Sequence, residues 1–584
     1  MVLKDSILPP SLQLFPYRAL RNYQSQFLRF VENNQKVIIH APVGFGKTIM
    51  ALISSLPLVK QENYQLIIFV RTKAQVFRVF LNEIYKIANS RKYGYLTAVP
   101  LILKSDLCLK IEEIPQFHKG TCSSIRCPHL EQARSIPEED LPTIVEQVTI
   151  TSHEDDKISV ETFQNAFREF GCPYYVIKRC IPYANIIVTT QTYIRSKNLQ
   201  PMFSELLNKS SFSAKVAIID EGHNFSADIE AEISLNDIQR ASAIIPLKIF
   251  DTLQDLIIFH KGMVERPLGL SVAAIDAFLD HERKITLVEK TQLLKVKDFI
   301  QSRGDIWISE ESKIIQLDPF PQSVFKFIDP FFQRIILMSG TFQPIKSYKL
   351  LYGINYYANL SIPSDFQFSL NSIMYNRRFT SRFAQRSANT YENMVNVIQR
   401  LHESNPFHTI VFTTSHEFKH KLITHLQLPN YYIEKIDSSP HFLDELPDKK
   451  HELILGVLGG RLSEGVEILN QDNRSLLTLI IIAGMPYPRP DATNKLLSSL
   501  YTRKWGIKMA KHLTTLPLTR TISQAIGRGI RSESDFAASL ILDYRAIRLR
   551  PMLPPTRIFK DLSSLYNAYD LFYAKMRKIF SLDE

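Results

Sequence analysis

Short aliphatic runs recur along the chain, separated by stretches of helical spacing. Five come early: Lys36–His40, Leu66–Val70, Ile186–Thr190, Lys215–Asp220 and Arg334–Met338. Each is apolar without alternation, which suits strands buried on both faces of a parallel sheet wrapped by helices. A second set follows at Thr409–Thr413, Leu453–Val457, Leu476–Ala483 and Ala538–Leu542. The pattern predicts two α/β units. Two stretches interrupt the first. Residues from about 95 to 182 hold all five cysteines and little strand pattern. Residues from about 236 to 320 read as mostly helical, with apolar spacing in Ile244–His260 and Val272–Leu279. A strand-like pair, Asp305–Ile308 and Lys313–Leu317, closes that stretch. Near the end, Leu562, Tyr566, Tyr569 and Phe572 fall on one helical stripe, which reads as core packing rather than a platform for bases.

A chain of 584 residues is too long for one core. Its 45 % apolar and 22 % charged residues describe a globular protein. No apolar run reaches the roughly 18 residues a membrane helix needs. Met1–Pro16 lacks the basic start, apolar centre and cleavage site of an export signal, so a cytoplasmic (or nuclear) protein is expected. The net charge of +12 suits a polyanionic partner and equally a generally basic protein. An odd number of cysteines without an export signal argues against a disulfide framework.

Candidate chemistry begins at Ala41-Pro-Val-Gly-Phe-Gly-Lys47-Thr48, which follows one predicted strand and opens a helix. Backbone N–H groups of such a loop, including those at Gly44 and Gly46, wrap phosphates. Lys47 would reach the β- and γ-phosphates of ATP, and Thr48 would bind Mg²⁺. Asp220-Glu221-Gly222-His223 ends the Lys215–Asp220 run, where α/β proteins place catalytic groups. Asp220 would hold Mg²⁺ and Glu221 would act as general base toward water. Positive charge for the transition state could come from Gln524-Ala-Ile-Gly-Arg528-Gly-Ile-Arg531, whose arginines, three apart, lie on one face.

In chain order the residues give Arg21-x-x-Gln24, the phosphate loop, Arg71-Thr72, DEGH, Ser339-Gly340-Thr341, Gly460-Arg461-Leu462-Ser463-Glu464-Gly465 and QAIGRGIR. That set resembles the motifs of superfamily 2 helicases, and Arg-Thr, "SEG" and "QAIGRxxR" resemble the XPD branch, with its FANCJ and DinG relatives. The resemblance covers nearly the whole chain and implies an ATP-dependent DNA helicase moving 5′ to 3′ on single-stranded DNA, in repair or genome maintenance. It implies that Gln24 contacts adenine, that Glu464 and Gly465 couple nucleotide to strand binding, that Ser339 and Thr341 link hydrolysis to motion, and that Arg528 and Arg531 are arginine fingers. It implies two RecA-like parallel-sheet motor domains with ATP between them. The first would comprise residues 1–94, 183–235 and 321–345, interrupted by an iron–sulfur domain (95–182) and a helical arch domain (236–320); the second would be 346–584. Forked or tailed duplexes and repair proteins are the partners implied, for a monomer. Two departures stand out: DEGH replaces the family's DEAH, and SGT its SAT. A translocase that never separates strands, a nucleotide-switched subunit of a repair complex and an RNA helicase would share the motor motifs.

Cys108, Cys122, Cys127 and Cys172 are separated by thirteen, four and forty-four residues, with no C-x-x-C pair to suggest zinc. Spacing alone leaves a [4Fe–4S] cluster and metal-free buried thiols both open. The resemblance favours the cluster, because Cys172-Pro-Tyr-Tyr175 is similar to the family's fourth-ligand element and Asp106-Leu107-Cys108 to its first. Cys180 is assigned to packing. Tyr174, Tyr175, Lys178 and Arg179 are either strand contacts or ordinary packing residues.

Overall fold

The structure is a computed structural model. It describes residues 20–580 apart from 43, 80–82, 85–95, 114–126, 152–159, 246–257, 261–264, 282–285, 311–312, 364–367, 429–430, 436–442, 444, 450, 464–467, 471–473, 489–490 and 531–534. The chain divides into two compact units. The first extends to Ser361 and includes residues 492–500 of a later helix; the second takes the chain from Ile362 on, together with Ala41–Phe45.

In the first unit β1 (Lys36–His40), β2 (Tyr64–Val70), β3 (Ala98–Leu101), β4 (Ile186–Thr190) and β5 (Ala214–Ile219) precede an inserted sheet. That sheet is made of β6 (Asp228–Ser234), β7 (Ile258–His260), β8 (Ile306–Glu310) and β9 (Lys313–Asp318). Strands β10 (Arg334–Ser339) and β11 (Ala358–Ser361) then return to the main sheet, whose order is β11-β1-β10-β5-β2-β4-β3. Every pairing in it is parallel. The aliphatic runs explain this: β4 is buried along its whole length, and β1 at its three central residues. The main sheet therefore starts its cysteine-rich interruption after β3, beyond the expected residue 95. It also runs past the expected boundary at 345, because β11 pairs with Val37–His40.

The inserted sheet is antiparallel, in the order β6-β9-β8-β7. The expected strand pair is present as β8 and β9, with β6 and β7 flanking it, and the rest of the described 236–320 stretch is mostly helical, as its spacing predicted. Helices Leu235–Ile244, Glu265–His281 and Leu287–Gln301 accompany it, two of them started by capping boxes, Ser234 with Asp237 and Thr286 with Glu289. Side chains alternate across the sheet. Trp307 and Ile314 join the helices' core, while Ile306, Ile308 and Leu317 meet Ala492, Leu496, Leu497 and Leu500.

The second unit holds β12 (Ser369–Met374), β13 (His408–Thr413), β14 (Tyr432–Ile433), β15 (Leu453–Val457), β16 (Leu477–Ala483), β17 (Ala537–Ile541) and β18 (Arg557–Phe559), also all parallel. Their order is β14-β15-β13-β16-β17-β12-β18. Val411 faces one core, and Ile410 and Phe412 face the other. The C-terminal helix Leu562–Phe580 buries Leu565, Tyr569, Tyr573 and Met576 in the first of these. Its aromatic stripe is core, with the Tyr569 hydroxyl donating to the Ser539 carbonyl at 2.8 Å. Among the described residues no helix is long and apolar enough to cross a membrane.

Candidate functional site

The loop after β1 is shaped by two glycines in the left-handed region, Gly44 (φ 79°) and Gly46 (φ 81°). Gly46 stands at the start of the Lys47–Gln61 helix with no side chain capping it, the geometry that leaves helix N–H groups for an anion. Gln24 lies against this turn: a Cβ on Gly46 would come 3.4 Å from its Nε2. The Gln24 amide is buried, and its Oε1 accepts from the Arg21 N–H at 2.9 Å. Arg21-x-x-Gln24 and the phosphate loop are therefore one local structure.

At the C-terminal end of β5 the Thr48 hydroxyl donates to Asp220 Oδ2 at 3.2 Å. The Glu221 N–H closes on Asp220 Oδ1 at 2.9 Å, and Glu221 itself occupies the left-handed region (φ 49°), a rare conformation for a non-glycine residue. Ser339, at the end of neighbouring β10, donates to Glu221 Oε2 at 3.3 Å and accepts from the Thr341 N–H at 3.0 Å. His223 Nδ1 contacts both the Ser339 hydroxyl and, at 3.0 Å, Glu221 Oε2. DEGH and Ser-Gly-Thr, over a hundred residues apart in sequence, thus share one hydrogen-bonded cluster.

The surroundings shift the two acidic side chains in opposite directions. Burial, and then the neighbouring Glu221 carboxylate, push Asp220 up to about 6, against the pull of Lys47. Burial also pushes Glu221 up, but the His223 hydrogen bond and charge, Lys47 and the Ser339 hydroxyl outweigh it and hold it down, at about 2. A proton on the pair therefore resides on Asp220, the residue beside Thr48, and Glu221 stays ionised. Sequence reasoning missed Gln191. Its buried amide donates to the Asp220 carbonyl at 2.5 Å while its N–H pairs with Val70, which ties the ends of β2, β4 and β5 together. A polar residue directly after a fully buried strand was the available signal.

The second unit carries the later motifs. Arg528 donates through Nε and Nη2 to the Ser463 carbonyl at 3.0 and 2.8 Å, joining QAIGRGIR to Gly460–Ser463. Gly529 fits there because a Cβ would lie 2.5 Å from the Ala537 Cβ and 2.9 Å from the Leu477 carbonyl oxygen. Gln524 sits in the last turn of the Ile507–Ile526 helix. Glu464, Gly465 and Arg531 lie outside the described residues.

Of the four candidate cluster ligands, Cys108, Cys127 and Cys172 line a single pocket together with Lys104, Leu109, Lys110, His129 and Leu130; Cys122 lies outside the described residues. Cys127 and Cys172 each precede a proline that opens a helix, Pro128–Ser135 and Pro173–Cys180. The Cys172 N–H donates to the His129 carbonyl at 2.8 Å, which pins the two starts side by side. Of this pair, Cys172-Pro173 was singled out from the sequence, but its counterpart Cys127-Pro128 was missed. Among the described residues no three His, Cys, Asp or Glu side chains are grouped to hold a single metal ion. Cys180 is fully buried away from that lining, and burial pushes its thiol up to about 12, the state of a packing residue. Tyr174 is buried, and the partly buried Arg179 donates to the Ala133 carbonyl at 2.8 Å.

Two parallel-sheet units, one with a phosphate loop beside a paired-carboxylate strand end, define a nucleoside-triphosphate-driven motor of the helicase class. Comparison with known proteins narrows this. Residues 68–242 match the DEAD_2 family and residues 398–553 the helicase C-terminal domain. The chain is 25 % identical to the ATP-dependent DNA helicase XPD of Sulfolobus acidocaldarius, over 90 % of this chain and 96 % of that protein. It is 21 % identical to the general transcription and DNA repair factor IIH helicase subunit XPD of Schizosaccharomyces pombe, over 91 % of this chain and 87 % of that one. A solved XPD helicase structure shares the fold with a TM-score of 0.67 at 22 % identity, covering 93 % of this chain and all of its own. The chain belongs to the XPD-like family of ATP-dependent DNA helicases. ATP, Mg²⁺ and DNA are the cofactors and substrate expected of that family.

Proposed function

We propose that this protein translocates 5′ to 3′ on single-stranded DNA and separates tailed or forked duplexes, in DNA repair or genome maintenance. The observation that carries the reading is the contact of Thr48 with Asp220 beside an ionised Glu221 that Ser339 and His223 hold in place. Mg²⁺ would be held by Thr48 and Asp220, and when bound supplies positive charge to the phosphate oxygens. Lys47 adds its own charge there, and Gln24 would meet the adenine. Glu221, kept as a carboxylate, accepts the proton of the attacking water at its free lone pairs and orients that water. Ser339 and Thr341 touch the same carboxylate cluster, which suits a link from hydrolysis to motion. Resemblance assigns charge stabilisation to Gln524, Arg528 and Arg531, and strand coupling to Glu464 and Gly465.

The cysteine pocket would hold a [4Fe–4S] cluster through Cys108, Cys122, Cys127 and Cys172. The three described thiols around one pocket support this, as do Lys104 and Lys110 in the same lining, whose positive charge suits an anionic thiolate cluster. The cluster would supply a rigid cross-link between the segment after β3 and the two Cys-Pro helices. A monomer acting in the cytoplasm, or in a nucleus, with repair proteins as partners completes the reading.

The test is strand displacement on duplexes carrying either a 5′ or a 3′ single-stranded tail, with anaerobically purified protein, ATP and Mg²⁺. Unwinding from the 5′ tail alone, abolished by Lys47→Ala, is expected. Unwinding from the 3′ tail would overturn the polarity. ATPase stimulated by single-stranded DNA with no displaced strand would replace the helicase by a translocase.

A further inference from the structure

Glu434 follows β14 and is buried, with 5 % of its surface exposed. Its carboxylate is spent on backbone. Oε2 accepts from the Val457 N–H at 2.9 Å, and Oε1 from the Leu462 N–H at 3.2 Å. Its own N–H pairs with the Leu455 carbonyl at 2.9 Å, and its carbonyl accepts from buried Lys419. The main chain is thus tied down on both sides. The carboxylate reaches across the turn that leaves β15, and the glycines of that turn make room for it. A Cβ on Gly460 would stand 2.6 Å from Oε1 and 2.8 Å from Oε2, and one on Gly456 3.2 Å from Oε2. Gly460 has no left-handed φ, so space for Glu434, rather than backbone conformation, demands glycine there.

The turn ends at Ser463, whose N–H and hydroxyl both bond the Gly460 carbonyl, at 3.1 and 2.8 Å. The Ser463 carbonyl then receives the Arg528 guanidinium. One chain of polar contacts therefore runs from Glu434 through the Val457–Ser463 backbone to Arg528. A carboxylate accepting two backbone N–H groups makes charge-assisted bonds, stronger than neutral ones, and fixes the turn at two points five residues apart.

We propose that Glu434 is a positioning residue for ATP hydrolysis: it sets the turn that presents the Ser463 carbonyl, and through it the place of the Arg528 guanidinium. This rests on the reading of Arg528 as a charge-stabilising residue. Glu434→Gln keeps the size but leaves one acceptor oxygen, and its NH₂ faces a backbone N–H donor. One buried N–H loses its partner.

The experiment uses the full-length protein. It measures kcat and KM for single-stranded-DNA-stimulated ATPase, and the affinity for a fluorescent ADP analogue, in Glu434→Gln, Arg528→Ala and the double variant. Glu434→Gln is expected to lower kcat by about tenfold, the scale of one strong hydrogen bond lost from the transition state. KM and analogue affinity should stay within about twofold, because nothing at Gln24 or Lys47 changes. The double variant should be no slower than Arg528→Ala alone. Losses that multiply, or a Glu434→Gln kcat within twofold of the parent, would overturn the proposal. An Arg528→Ala protein with parental kcat would instead remove the reading of Arg528 beneath it. If Glu434→Gln does not fold, Glu434→Asp decides: it keeps the charge on a shorter arm and should lower kcat by severalfold at unchanged KM, and parental kcat there overturns the proposal.

Discussion

A methyl group at position 222 would stand 2.2 Å from Leu337 Cδ1, 3.0 Å from its Cγ and 3.3 Å from Phe342 Cζ. Leu337 is fully buried in β10, so its Cδ1 would have to shift within a packed core, and the Gly222 carbonyl is held by the Tyr352 hydroxyl at 3.0 Å. The alanine of DEAH would force Leu337 to shift in this chain, and glycine there relieves that crowding while leaving the acidic pair untouched. Gly222→Ala should destabilise the first unit by about 1–3 kcal/mol, the usual scale of overpacking, and should slow ATPase by displacing Glu221. Leu337→Val removes the offending carbon. The double variant Gly222→Ala with Leu337→Val should recover part of both losses in melting and turnover assays; strictly additive losses would show that the two side chains do not compete for space. Glu221→Gln keeps the Ser339 contact but cannot accept a proton, so kcat should fall by about 10² or more with nucleotide affinity retained. A variant that turns over near the parental rate would remove Glu221 as the base.

At the scale of elements, legibility followed burial. Strands whose sequence is an unbroken aliphatic run, such as β1, β2, β4, β5, β10, β13 and β16, were readable because burial on both faces leaves no other use for such residues. The edge strands were not: Ala98–Leu101 contains a proline, Ala358–Ser361 is half polar, and Tyr432–Ile433 has two residues. Pairing on one side only demands little of a sequence. The site divides in the same way. Contiguous motifs were legible, whereas Gln191, Glu434 and the reason for Gly222 depend on contacts between residues distant in sequence. The Cys-Pro helix starts lie between these cases, and they carry a prediction. Gly171, at φ 106°, precedes Cys172, and a Cβ there would sit 2.6 Å from the His129 carbonyl oxygen and 2.8 Å from the Ala133 nitrogen. Gly171→Ala should therefore separate the two helix starts and lower bound iron and visible absorbance in anaerobic protein, as Cys172→Ser should by removing a ligand. Iron content equal to the parent's in Cys172→Ser would sink the ligand assignment. Retention in Gly171→Ala alone would show that the helix starts need not be pinned.

At the scale of the molecule, one histidine in each unit, half-buried His40 and buried His402, couples folding to pH. Burial, and then Lys47, lower His40 to about 4; burial, with His451 and His408, lowers His402 to about 4. Both folded values lie below the ordinary 6.5. Between pH 6.5 and 4 the unfolded chain binds protons that the folded chain refuses, so stability is lost as pH falls through that window. The cost is on the order of 2 kcal/mol for each histidine at pH 5. In the first unit Asp220 opposes it. Its value is raised from 3.8 to about 6, so the folded state gains protons over nearly the same range and the two slopes largely cancel. The second unit holds His402 stacked on His451 at 4.0 Å, with Nδ1 on the Thr409 hydroxyl at 2.8 Å, and burial lowers His408 as well. Acid sensitivity should therefore appear in the unfolding of the second unit. Melting followed between pH 7.5 and 5 should show one transition falling more steeply than the other. His402→Gln, whose amide can keep the Thr409 bond without titrating, should flatten the steep one. If the slope survives that substitution, His402 is not its source, and His408 is the next residue to replace.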